Sequence, residues 1–160
     1  MFKFEKLAFG DLGWGDELLF ATLMTITVSI LSMGLGLCLA IITVWAKLIT
    51  NRITRFLANL YTTVVRGVPE LLVIYLIFFG GNSVVMGVAK LFGYNGYIEL
   101  NALTIGTIAI AFISATYSSE VIRAAYLAVN KGQVEAAKAL GIGKIQIFLR
   151  VMGPQIIRHA

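Results

Sequence analysis

Charged residues leave three long gaps along this chain. Residues 18–46, 71–89 and 100–119 hold no Asp, Glu, Lys or Arg over 29, 19 and 20 positions. A helix crosses a hydrocarbon core of about 30 Å with about 20 apolar residues. The first gap exceeds that length and predicts a helix over 18–45 that tilts or runs into the interface. Only 71–79 of the second gap is solidly apolar, and Gly80-Gly81-Asn82-Ser83 reads as a turn. That helix is therefore expected to start earlier and to span 57–79. The third gap fits one crossing, 100–121. The pattern as a whole predicts an all-α polytopic membrane protein with three spanning helices.

The first of these helices carries a stripe of small residues. Thr22, Thr25, Ser29, Ser32, Gly36, Ala40 and Thr43 step by three or four positions and share one face. In lipid no hydrophobic drive pulls helices together, and small side chains let backbones approach closely. Ala102 and Gly106 repeat this more weakly in the third helix. The stripe fits packing within the chain or a subunit interface.

Composition agrees with a membrane protein. Hydrophobic residues make up 59% of the 160 and charged residues 13%, with a mean hydropathy of +0.89. Soluble domains run at about 45–50% apolar and about 25% charged. Disorder, collagen-like repeats and disulfide scaffolds are excluded, with 2 Pro and 1 Cys. The net charge of +5 reads as topology rather than as affinity for nucleic acid. Ten of the 13 basic residues follow the first or third predicted helix: Lys47, Arg52, Arg55 and Arg66, then Arg123, Lys131, Lys138, Lys144, Arg150 and Arg158. The positive-inside rule places those segments inside and the N-terminal segment 1–17 outside. Phe2, Phe4, Leu7 and Phe9 suggest a short interfacial helix over 2–9. The first hydrophobic run is too long for the core of a cleavable signal peptide.

The chemical inventory argues against an enzyme. The single His, His159, and the single Cys, Cys38, provide no spacing for zinc or an iron–sulfur cluster. No P-loop and no GxSxG nucleophile motif occurs. No catalytic residue, no metal site and no cofactor of its own is expected.

Two places put charge where it is expensive. Arg66 and Glu70 flank Gly67-Val68-Pro69, where Pro69 removes a helical hydrogen bond. Such a break at membrane depth lies beside a substrate path in many transporters. Alternatively it is an interfacial turn, with Arg66 snorkelling and Glu70 paired to it. Glu120 and Arg123 share a face at the end of the third helix, as an ion pair or headgroup contact, or as the lining of an inner mouth.

Residues 121–160 are amphipathic. Gly132 and Gly141 bracket a short helix with Glu135 in its first turn and Gly141 as a left-handed C-cap. A second segment, 144–152, is expected to stop at Gly153-Pro154. A helix, a glycine turn and a helix suit either a docking element or a generic turn.

Gly132-Gln133-Val134-Glu135-Ala136-Ala137-Lys138-Ala139-Leu140-Gly141 resembles the EAA motif of bacterial ABC-importer permeases. Tyr117-Ser118-Ser119-Glu120-Val121-Ile122-Arg123 precedes it, and Pro154-Gln155-Ile156-Ile157-Arg158 follows it, at that family's spacing. The segment Arg66-Gly67-Val68-Pro69-Glu70 is similar to the polar amino acid subfamily, in the form of its Q-type histidine, basic amino acid and opine permeases. The resemblance implies an inner-membrane permease, with 18–160 as the N-terminal part of a five-helix domain and 124–158 as its cytoplasmic coupling region. Gly132, Gln133, Glu135, Ala136, Ala137, Leu140 and Gly141 would form the coupling loop. Arg66, Pro69, Glu70 and Glu120 would border the pathway. The implied partners are an ATPase dimer that binds ATP, a paralogous M-type permease or second copy, a periplasmic amino acid-binding protein and the bilayer, with no nucleic acid. Asn130, in place of the family's usual Pro, is expected to alter flexibility before the loop, as are Ala124 and Ala125 where Gly is common. Family members continue with two further spanning helices, so the chain is expected to be a fragment of such a permease or a truncated remnant that retains the docking loop.

Overall fold

The computed structural model describes residues 13–94, 96 and 101–159. The elements are α1 (Gly15–Leu48), α2 (Arg52–Gly67), α3 (Glu70–Leu91), α4 (Ala102–Ala128), α5 (Lys131–Ala139), α6 (Lys144–Ile147), a π-helical turn (Phe148–Met152) and α7 (Gly153–His159). Three of them, α1, α3 and α4, are long and apolar enough to cross a membrane. At 1.5 Å per residue the 34-residue α1 is about 51 Å long, well beyond the hydrocarbon core. The segment expected over 2–9 and most of 1–17 lie outside the described residues.

The seam between α1 and α4 organises the fold. Ser32 donates to the Thr107 carbonyl at 3.2 Å, a Cβ on Gly36 would stand 3.2 Å from the Ala111 carbonyl oxygen, and Lys47 meets Glu120. Residue numbers rise together along both helices, so α1 and α4 run parallel. On α3 the order reverses: Gly81 faces Ile105 and Val73 packs with Ile113. This α3 therefore runs antiparallel to α4, as a chain crossing three times requires.

Only the lower half of the predicted small-residue stripe is used in the seam. Ser32, Gly36, Ala40 and Thr43 are buried, whereas Thr22, Thr25 and Ser29 are exposed and donate back to the carbonyls of Leu18, Ala21 and Thr25 at 2.7–2.8 Å. Such back-bonding removes the need for a partner in an apolar medium. The matching face of α4 is Thr107, Ala111, Ala115 and Ser119, all buried. Ala102 is exposed and a Cβ on Gly106 would meet nothing within 4 Å, so the expected Ala102/Gly106 face is not the packed one.

The second crossing differs from its expected span. Proline clashes with the preceding residue's helical conformation, and Val68 is extended at φ −109°, ψ 143°. The break divides 57–79 into α2, whose 16 residues are too few to cross, and α3, which makes the crossing over 70–91. Gly80-Gly81-Asn82-Ser83 stays helical rather than turning. Where the surroundings offer no hydrogen-bond partner, the helix is the one local way to pair these backbone groups. Likewise α4 continues to Ala128, so Glu120 and Arg123 stand inside it and not at its end. Asn side chains cap α2, α4 and α5: Asn51 accepts from Ile53 N, Asn101 from Leu103 N and Asn130 from Gly132 N, at 3.0, 3.2 and 2.9 Å.

Candidate functional site: a polar cleft and a short exposed helix

The elbow between α2 and α3 places polar groups against α4. Val65, Val73 and Ile113 form a small buried cluster flanked by Tyr61, Val68 and Phe112. Tyr61 donates to the Phe112 carbonyl at 2.6 Å, and the two rings lie 4.7 Å apart. Above this anchor an open cleft of about 520 Å³ is lined by Thr62, Thr63, Arg66, Gly67, Tyr117 and Glu120. Arg66 lies over the Tyr117 ring at 5.3 Å, and the Tyr117 side chain lies beside the Glu70 carboxylate.

The cleft thus gathers Arg66 and Glu120, two of the residues expected beside a pathway, while Glu70 stands at the elbow without lining the cleft. Pro69 shapes the elbow without lining it. The expected Arg66–Glu70 ion pair is not among the ion pairs of the described residues; Tyr117 is a neighbour of both, with Arg66 over its ring. Glu120 and Arg123 do pair, at 3.7 Å, but the nearer partner of Glu120 is Lys47. Lys47 also donates to Thr62 at 2.7 Å, and its side chain is 1% exposed. In the sequence Lys47 reads as a topology marker and Tyr117 only as part of a motif. A hydrophobic run that ends in a single Lys offers no signal that the ammonium turns inward.

The second feature is α5. Gly141 has φ +74°, the left-handed C-cap the sequence predicts, and Gly141 N and Ile142 N close the helix end on Lys138 O and Ala137 O at 3.0 and 3.2 Å. Glu135 is the fifth helical residue, in the second turn rather than the first, because the helix starts one residue before Gly132 on the Asn130 cap. That cap fixes the entry to the helix where Asn130 was expected to alter flexibility. Ala137 is buried, as is Ile147 on α6, whereas Gly132, Gln133, Glu135, Ala136, Leu140 and Gly141 are exposed. Gln155 on α7 donates to Gln133 at 2.5 Å and to the Val151 carbonyl at 2.9 Å, and α7 packs on α4. Gly153-Pro154 does not stop the tail helix as expected. The π-helical turn before it lets Gly153 N reach back to the Phe148 carbonyl, opening the helix ahead of the proline ring. Among the described residues no three His, Cys, Asp or Glu side chains are grouped to hold a metal ion.

The family model described as binding-protein-dependent transport system inner membrane component matches residues 32–160. The chain belongs to this permease family. It is 47% identical over 155 residues to the nopaline transport system permease protein NocQ of Agrobacterium fabrum, covering 96% of this chain and 66% of that protein. It is 41% identical to the octopine transport system permease protein OccQ of Rhizobium meliloti, over 98% of this chain and 66% of that one. Against the histidine/lysine/arginine/ornithine transport system permease protein HisQ of Escherichia coli it is 35% identical, over 92% and 64%. A solved structure described as an amino acid ABC transporter with histidines superposes with a TM-score of 0.65 at 26% identity, covering 94% of this chain and 67% of that one. The permease chain described here spans just under two thirds of the length of these curated relatives.

Proposed function

We propose that this chain is the core of a permease subunit in an ATP-driven importer of polar amino acids, with basic amino acids or opines as the favoured substrates. The carrying observation is α5: a short capped helix that presents Leu140, 79% exposed, while Gln133 ties it through α7 to α4. An exposed large apolar side chain on a braced helix suits insertion into a partner's groove. The partners are an ATPase dimer, which binds and hydrolyses ATP, a second permease (a copy or an M-type paralogue) and a periplasmic binding protein. The Lys47 end of α1, the cleft and α5–α7 face the cytoplasm, in keeping with the ten basic residues gathered there. ATPase closure moves α5, and the brace carries that motion into α4, one wall of the cleft.

The test is Leu140→Asp in the complete permease, co-expressed with its ATPase. Leu140 is exposed, so the fold should survive. Co-purified ATPase and amino acid uptake should both fall at least about tenfold, as for loss of an apolar anchor. Undiminished capture of the ATPase would refute the docking role of α5.

A further inference from the structure

We infer that Lys47 is an internal counter-ion that holds the Glu120 carboxylate until the cationic group of a substrate displaces it, which makes Lys47 a specificity-determining positioning residue. The inference rests on the transport function proposed above.

Glu120 has two sides. One oxygen receives Lys47 from within the protein, and the side chain is 31% exposed and lines the cleft. Lys47 is buried and does not line the cleft. Two of its three N–H donors go to Thr62 and Glu120. A buried ammonium without a carboxylate is costly, so Lys47 keeps Glu120 occupied. The other charges close the account. Arg123 approaches the second oxygen of Glu120, Glu70 does not line the cleft, and Arg66 stacks on the Tyr117 ring. The carboxylate that lines the cleft, Glu120, is therefore already paired. A guanidinium or ammonium entering it must compete with a tethered ammonium for Glu120, whereas an uncharged side chain meets no such competition.

The experiment measures direct binding of arginine and of glutamine to the purified complex of full-length permease and ATPase. Wild type is compared with Lys47→Met, Lys47→Arg and Lys47→Gln, the last keeping a donor for Thr62. Removing the charge should tighten arginine binding by about tenfold, within the usual range for coupled sites, in both Met and Gln variants. Glutamine binding should stay unchanged, and Lys47→Arg should behave as wild type. Unchanged arginine affinity in a folded Met or Gln variant, or an equal shift for both ligands, overturns the inference. If neither charge-removing variant yields a folded complex, Lys47 is structural and the inference falls as well. Wild type that neither binds nor transports any amino acid would instead overturn the proposed function.

Discussion

The α1–α4 seam and the α5–α7 segment use small residues to opposite ends. In the seam, Ser32, Gly36, Ala40 and Thr43 meet Thr107, Ala111, Ala115 and Ser119, and all eight are buried. The surface is spent on the chain's own partner. In the tail, Ala137 and Ile147 alone are buried, while Leu140, Ile145 and Leu149 stand exposed beside Ala136 and Ala139. Gly36 serves close approach at an ordinary helical φ, and Gly141 serves a positive φ with open space around it. The same residue type thus marks a closed contact in one region and an open one in the other. The two regions should respond differently to added bulk.

Gly36→Leu is the strongest test of the closed region. A Cβ alone would stand 3.2 and 3.3 Å from Ala111 O and Ser114 Cβ, and the rest of a leucine has no room. Overpacking of this kind costs about 3 kcal/mol or more, enough to lower the yield of folded protein in membranes and the melting temperature in detergent. Gly34→Leu, two residues away with nothing within 4 Å, should leave both measurements unchanged. Equal losses in the two variants would mean that α1 does not pack on α4 through this face.

Next in size is Glu120→Gln at the far end of the same seam. It leaves the Lys47 ammonium buried beside a neutral amide. Breaking a fully buried pair costs about 3–5 kcal/mol; with Glu120 partly open to the cleft, about 2 kcal/mol is expected after allowance for solvent screening. Lys47→Met combined with Glu120→Gln should recover most of the lost thermal stability. A double variant no more stable than Glu120→Gln would show that the pair does not hold the helices.

Periodicity and charge made three spanning helices and the Gly141 cap legible in the sequence. Each rests on a local rule that tertiary structure did not override. The expected turn at Gly80-Gly81 failed because turn propensity was measured against water, and no water competes for backbone groups in lipid. The extent of α2 and α3 failed because hydropathy does not register that the residue before proline leaves the helix. Of the cleft and the residues around it, Arg66, Glu70 and Glu120 were legible as charges in costly places. Lys47, Thr62 and Tyr117 were not, since their roles depend on how α1, α2 and α4 converge. The Asn caps at 51, 101 and 130 could have been found, each being an Asn directly before a helical run.

Smaller effects belong to the open region. Gly141→Ala puts a Cβ at φ +74°, a strain of about 1 kcal/mol, with no steric clash to add. Global melting should hardly move, while amide exchange speeds up at Gly141 and Ile142 and ATPase capture weakens. A fall in melting temperature as large as that of Gly36→Leu would erase the distinction between the two regions.

Asn130→Ala is the mildest variant. It removes the side-chain acceptor of Gly132 N, 2.9 Å away, worth about 0.5–1 kcal/mol for an exposed cap. The loss is confined to the first turn of α5, because Gln133 N still donates to the Asn130 backbone carbonyl at 3.2 Å and the Gln133 side-chain oxygen still accepts from Gln155. Amide exchange at Gly132 should quicken severalfold, and exchange at Leu140 should stay as in wild type. If protection were lost along all of 131–139, the brace to α7 would not be holding the helix, and α5 could not pass a partner's motion to α4.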